Sequence, residues 1–471
     1  MQLVSPPEKW KGPVLALAGA AAVAGVAIGF TLGGGASTTV ETRVERGGST
    51  TVETRVERGG STSTGSTTTG AGSTSPSATT TSTTSTTGTT TRASVIPRPR
   101  ETRLGHRLLV ATVDDALKQA DPATAAALTK LSHDAGFDGV MVSSMWTPGA
   151  RAPAAQERLA LGNVVKAAGA QGMRVFVFVW HGLSGQTPRT PAARSQFAAY
   201  TAALARAFPQ VRDIVVGNEP NLNTFWLPQF GPGGSDAAAK GYFNLLARTY
   251  DALKAVSPRI RVIGGALAPR GSDRPGTKRD THSPTRFIKD LGAFYKASGR
   301  SKPIMDAFSI HPYMRTSKLP PTDRHAASTT ITIADYPKLA ALLTQSFAGT
   351  PQRGRGLPVY YTEFGVQTRV PAAHRHAYED LNSPGFADAV DPKTQARYYD
   401  QALALAACQP TVKGLFIFHT FDEADLAGWQ SGLYYADQQP KPSLKPFRVS
   451  AAAARAASLS RCAGGKFVRK E

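Results

Sequence analysis

From Arg107 onward the chain alternates between two kinds of apolar pattern. Short runs of β-branched and aromatic residues fall at 107–113 (RLLVATV), 137–143 (FDGVMVS), 173–180 (MRVFVFVW), 212–218, 260–267 (IRVIGGAL), 304–311 (IMDAFSIH), 357–363 and 412–419. Runs of this length read as buried strands. Between them lie Ala- and Leu-rich stretches with helical spacing, at 122–134, 154–171, 191–207, 236–256, 284–298, 334–347, 393–408 and 443–460. Asp121-Pro122, Thr190-Pro191 and Asp391-Pro392 supply a capping residue followed by proline at three helix starts. Strands alternating with helices imply right-handed crossovers and a parallel sheet. An open doubly wound sheet usually shows a glycine-rich turn after its first strand, and Val113-Asp114-Asp115-Ala116 is not one. The pattern predicts an α/β chain folded as a closed (β/α)8 TIM barrel.

Upstream the pattern changes twice. Residues 13–34 carry no charge and are mostly Ala, Val, Leu, Ile and Gly, about the length that crosses a bilayer. Lys9 and Lys11 precede this stretch, and the next basic residue is Arg43. That bias places residues 1–12 in the cytoplasm and everything after Gly34 outside. The rival reading is a signal peptide cut near Gly35-Ala36-Ser37, which would release a secreted protein. Residues 37–48 (STTVETRVERGG) are repeated without change at 49–60, and a Ser/Thr-rich run continues to Thr91. Two short copies cannot stack into a solenoid. With few large apolar residues, 35–104 is expected to be a disordered linker, a stalk between an anchor at 13–34 and a domain at 105–465.

Charge adds little to this division. The net charge is +21; residues 1–104 hold 10 Lys+Arg against 6 Asp+Glu, leaving 44 against 27 for the rest, so the basic character belongs to the folded part. The basic residues are dispersed and form no nucleic-acid motif, so no nucleic-acid partner is expected. The only cysteines are Cys408 and Cys462. No Cys/His ligand spacing exists, and neither metal nor cofactor is expected. The two cysteines fall near the ends of the last two predicted helices. A disulfide in an extracellular domain and two separate buried thiols are both open readings.

The chemistry collects at the strand ends, where barrels of this kind place their sites. The third strand ends in Trp180-His181, the fourth in Asn218-Glu219-Pro220 and the fifth near Arg270. The sixth ends in His311-Pro312-Tyr313, the seventh in Thr362-Glu363-Phe364-Gly365 and the eighth in His419-Thr420-Phe421-Asp422. Strands four and seven stand on opposing parts of an eight-strand ring, so Glu219 and Glu363 can face each other across its mouth. Two such carboxylates are the equipment for breaking a glycosidic bond. Trp146, Trp180, Trp226 and Trp429 also fall at or beyond strand ends. Each suits either a sugar-stacking platform or plain packing against the barrel rim, with Trp180 and Trp226 the better candidates for stacking. His181 is open between a sugar-hydroxyl partner and a satisfied rim histidine.

The order Asn-Glu-Pro, His-Pro-Tyr, Thr-Glu-Phe-Gly resembles glycoside hydrolase clan A, and within it the cellulase-like family 5 and family 39-like enzymes. Gln395, Ser431-Gly432-Leu433 and Lys441-Pro442-Ser443 add to the resemblance, which covers residues 107–447. It implies a retaining glycosidase acting on an extracellular, β-linked polysaccharide, oligosaccharide or glycoconjugate. Glu219 would be the general acid/base and Glu363 the nucleophile. Asn218 would bind the sugar 2-hydroxyl, Tyr313 would orient Glu363, and His311 would line the same wall. A single copy should suffice. The alternative is a non-catalytic barrel that binds glycan at the cell surface.

Two positions depart from the clan. An arginine commonly ends its second strand, where this chain has Ser143-Ser144-Met145-Trp146, with Arg151 nearby as a possible substitute. A tryptophan commonly ends its eighth strand, where Phe418-His419-Thr420-Phe421 stands, and Trp429 lies too far along to be taken as its equivalent. Two long polar loops, 269–283 and 367–391, are expected to wall the groove and select the glycan.

Overall fold

The structure, a computed structural model, describes residues 103–381, 385–459, 461–463 and 466–468. The expected anchor at 13–34 and nearly all of the linker at 35–104 lie outside these residues. Among the described residues no helix is long and apolar enough to cross a membrane.

Eight strands close into an all-parallel barrel: β1 Leu109–Val113, β2 Gly139–Met145, β3 Arg174–Trp180, β4 Asp213–Val216, β5 Arg261–Leu267, β6 Ala307–Ile310, β7 Val359–Phe364 and β8 Val412–Phe418. Closure runs through β1 and β8, paired from Leu109 with Gly414 to Val113 with Phe418. The outer helices are α1 Pro122–Asp134, α2 Ala155–Ala170, α3 Pro191–Ala207, α4 Ala237–Val256, α5 Pro284–Ala297, α6 Tyr336–Ser346, α7 Pro392–Ala407 and α8 Leu444–Arg455. The predicted caps form as expected. Asp121, Thr190 and Asp391 each accept a backbone N–H from the first turn, with proline at the next position. Asp236 and Ser283 cap α4 and α5 in the same way.

The last helix stops short of its expected end. Ala457 adopts a left-handed φ of 56°, and Ser458 N–H reaches back to the Ala453 carbonyl at 2.9 Å, a Schellman-type termination. Turning the chain there brings Cys462 to Cys408, with which it forms a disulfide across Cα atoms 5.5 Å apart. A small antiparallel sheet of Arg103–Leu104, Arg461–Ala463 and Lys466–Val468 adjoins it in sequence and takes in residues just outside 105–465.

Alternate residues of the strands fill the barrel, among them Ala111, Met141, Phe176, Val215, Ile263, Ala307, Tyr360 and Phe416. Phe176 packs edge-on to Phe416 and Tyr360, with centroids 4.9 and 5.6 Å away. The opposite faces of the strands pack against the helices in a second, larger core. At the bottom of the barrel Arg174 and Arg261 clamp Asp213 at 2.6 and 3.0 Å. With its interior filled and its bottom pinned, the barrel leaves the C-terminal mouth as the place for a cleft.

Candidate active site

The end of β4 is bent to present its carboxylate. Gly217 and Glu219 both take left-handed φ angles, 85° and 36°. A side chain at 217 would press on the Tyr242 ring, 3.1 Å from the added carbon. Tyr242 holds the bend from outside, its hydroxyl donating to Val216 C=O at 2.8 Å and accepting from Gly265 N–H at 2.7 Å. Glu219 N–H bonds Ala266 C=O at 2.8 Å. Asn221 ties the same turn to Ala268 N–H at 2.9 Å. A glutamate at such a φ is strained, which the surrounding bonds sustain. On β7 the register with β8 shifts between Tyr361 and Phe364, the segment that carries Glu363.

The two glutamates meet through one imidazole. His311 Nδ1 lies 3.0 Å from Glu219 Oε1 and 3.5 Å from Glu363 Oε2. Those two oxygens are therefore at most 6.5 Å apart. Tyr313 O–H donates to Glu363 Oε2 at 3.2 Å. Burial raises the Glu363 carboxyl to about 7; His311 pulls against this, and Glu219 adds to it. Burial draws His311 toward its neutral form, but the charges of Glu363 and Glu219 outweigh it and leave the imidazole above its ordinary value. Burial, and then the two carboxylates, hold Tyr313 well above the usual phenol range, so it stays a donor. Glu363 is therefore the carboxyl of this cluster that burial holds nearest to neutrality.

Above them opens a cleft of about 500 Å³ whose lining includes Asn218, Glu219, Tyr313 and Glu363, within the usual size of a small-ligand site. His311 sits beneath it, 1% exposed. One wall is aromatic. Trp429 lies against Tyr313, Phe418 and Phe386, with ring centroids 5.2, 5.4 and 6.2 Å away. Its loop is held by Glu423, which accepts from Trp429 N–H at 2.9 Å. Trp429 thus reaches the cleft although it lies eleven residues beyond Phe418. Sequence spacing hid this, because the loop from β8 folds back over the barrel. Arg270 and Arg315 also line the cleft. Arg270 lies three residues beyond the end of β5, which was the only sign of it in the sequence.

Three candidate sugar-binding residues are buried and do not line the cleft. Trp226 is 2% exposed and packs between His181 and Tyr242, at 5.4 and 6.0 Å. Gly241 on α4 leaves room for it, since an added carbon there would come within 2.9 Å of the indole. Trp226 is therefore a wedge between barrel and helices, not a sugar platform. Trp180 is buried against Phe178 and Phe225, and Phe225, not Trp180, reaches the cleft lining. His181 is buried too, and burial lowers it to about 4, so it stays neutral.

Arg151 is exposed and does not replace a strand-two arginine. Instead, Asp115 takes up the end of β2 by accepting Ser143 N–H at 2.7 Å. Of the two long loops, 269–283 lends the cleft only Pro269 and Arg270, while 367–391 lends Gln367 and residues 385–388. The rest of 269–283 turns back on itself, with Asp273 N–H on Thr281 C=O at 2.9 Å. The accessory motifs are struts. Gln395 donates to the carbonyls of Val366 and Ser431 and accepts from Ser443. Lys441 is buried in a 2.6 Å pair with Asp422.

No family model matches the chain, and no curated protein matches it. Solved structures do. A glucosidase from Croceicoccus marinus is 12% identical, covering 75% of this chain and 68% of its own, with a TM-score of 0.51. The GH5_18 enzyme of Streptomyces cattleya in complex with GlcNAc is 17% identical over 74% of this chain and 81% of its own, with a TM-score of 0.49. The GH39 enzyme of Xanthomonas axonopodis pv. citri is 17% identical over 74% and 68%, with a TM-score of 0.47. The chain shares with the Croceicoccus glucosidase the (β/α)8-barrel fold, and its clefted mouth holds the paired glutamates.

Proposed function

We propose that this protein is a retaining glycoside hydrolase that cleaves glycan by double displacement. One observation carries the reading: Glu219 and Glu363 flank a single nitrogen of His311 at 3.0 and 3.5 Å, beneath an open cleft. That bounds their oxygens to a separation compatible with the roughly 5–5.5 Å of retaining pairs; inverting pairs stand roughly 6.5–9.5 Å apart to admit a water.

In this reading Glu219 is the proton donor when sugar is bound. Glu219 gives it to the leaving oxygen as Glu363 attacks the anomeric carbon, and a glycosyl ester forms. Forming the ester removes the negative charge of Glu363. Glu219, now ionised, takes a proton from water, and the water oxygen attacks the anomeric carbon and frees Glu363. Tyr313 and His311 donate to the carboxylates and favour the ionised nucleophile, opposing the burial that holds Glu363 up. Asn218 lines the cleft beside Glu219, and in this reading it binds a sugar hydroxyl. Trp429, in place of the expected Trp226 and Trp180, is the stacking surface.

The glycan is extracellular in this reading, and the barrel is held to the membrane by residues 13–34 through the linker. That placement rests on the charge and length of the N-terminal sequence. Proton NMR of the first-formed anomer tests the mechanism. A retained configuration supports double displacement; inversion overturns it while leaving a hydrolase.

A further inference from the structure

The cleft holds two arginines that the proposed chemistry does not use. Arg270 follows β5 and Arg315 follows Tyr313, and both face the same cavity as the glutamates. Arg270 is half-buried in the cleft wall. Among the described residues its guanidinium has one hydrogen-bond partner, the Tyr313 carbonyl, to which Nη2 donates at 3.1 Å. Among the described residues neither arginine has a carboxylate oxygen within 4.0 Å of a guanidinium nitrogen. The other acid on the lining, Asp388, pairs instead with Lys318 at 3.2 Å.

A half-buried cation with no carboxylate beside it is costly. Enclosure lowers Arg270 to about 10; Glu219 counters this from beyond ion-pair distance, and Arg315 adds to it. Arg270 is therefore still charged at neutral pH. Arginine presents five N–H donors in a rigid planar fork that matches a carboxylate bidentately. The bond to Tyr313 fixes the fork and uses one donor. A neutral glycan leaves the remaining donors facing apolar wall or water, whereas an anionic one satisfies them.

We propose that Arg270, with Arg315 beside it, receives the carboxylate of a uronic acid in the glycan, so that the substrate class is an acidic polysaccharide. This rests on the glycosidase reading for the cleavage step but not for binding. Arg270 is the specificity-determining residue. Its tether to Tyr313 holds the half-buried guanidinium as a fixed receptor, and the exposed Arg315 adds charge at the rim. The folded part is strongly basic, with 44 Lys+Arg against 27 Asp+Glu beyond residue 104, which draws a polyanion to the cleft.

The test uses full-length protein on a panel of uronate-containing polysaccharides, each beside its carboxyl-reduced product, with a sulfated galactan as a second anion. The reduced chain keeps the backbone and loses only the charge. Wild-type protein is expected to release reducing ends from at least one uronate chain about 100-fold faster than from its reduced form. In Arg270→Gln that preference falls toward unity, while Arg270→Lys keeps part of it. Equal or faster cutting of the reduced chains overturns the proposal and leaves the glycosidase standing. Preference for the sulfated chain overturns the carboxylate assignment. If no glycan is cut, the glycosidase reading fails on its own. Calorimetric binding of the Glu363→Gln protein to acidic and reduced chains then decides this one, and equal or absent binding overturns it. The substrate-side comparison needs no variant, so a misfolded Arg270→Gln protein does not spoil it.

Discussion

Replacing Glu363 by glutamine is expected to abolish turnover and yet make the protein more stable at neutral and alkaline pH. Glu363 is 8% exposed, and burial raises its carboxyl from 4.5 to about 7, with His311 opposing and Glu219 reinforcing the shift. In the unfolded chain the same group ionises in the ordinary range. Between those two values the folded protein binds more protons than the unfolded one, so stability falls as pH rises. The loss begins above the ordinary carboxylate value and is complete once pH passes about 7. Its size is on the order of 3 kcal/mol. Glutamine fills the same space and carries no charge to bury. Denaturant unfolding of both proteins at about pH 5 and about pH 8 should show the advantage of the variant growing by about 2 kcal/mol. Equal pH dependence, or a variant less stable than wild type at the higher pH, refutes the claim that this carboxylate is held at a cost.

Other perturbations separate neighbouring roles. Tyr313→Phe removes the 3.2 Å hydrogen bond to Glu363. It should slow turnover about tenfold and move the Glu363-dependent limb of the pH–rate profile to higher pH; an unchanged limb makes the contact inert. Trp429→Ala should raise KM about tenfold with little loss of stability. Trp226→Ala should cost about 3–5 kcal/mol of stability, and a KM effect of Trp226→Ala without such loss restores it as a sugar platform. Cys408→Ser opens the link to Cys462, 54 residues away. It should lower stability by about 2–4 kcal/mol without changing KM; an unaltered unfolding midpoint in urea contradicts a native crosslink.

The barrel was legible because each strand is a short β-branched run and each helix an Ala/Leu face, so local pattern and global fold agree. The helix starts were legible for the same reason, since Asp-Pro and Thr-Pro carry their mechanism locally. Glu219, Glu363, Asn218 and Tyr313 were legible because strand ends in a closed barrel point to one place. Trp226 stayed open between stacking and packing because its burial depends on Gly241, a missing carbon on another helix, and no local signal records such a vacancy. Trp429 was passed over for the opposite reason: a Glu423 side chain folds its loop back to the mouth. The early stop of α8 depends on one alanine in a left-handed conformation, which its residue type does not announce.

The central claim is that Glu219 and Glu363 act on one sugar from one cleft. Incubating the protein with activated 2-fluoro glycosides and mapping the adduct by peptide mass spectrometry tests it most directly. The account predicts a glycosyl ester on Glu363 that forms in wild type and not in Glu363→Gln. Labelling of another residue, or no adduct across reagents of every common sugar configuration, neutral and uronic, would contradict it.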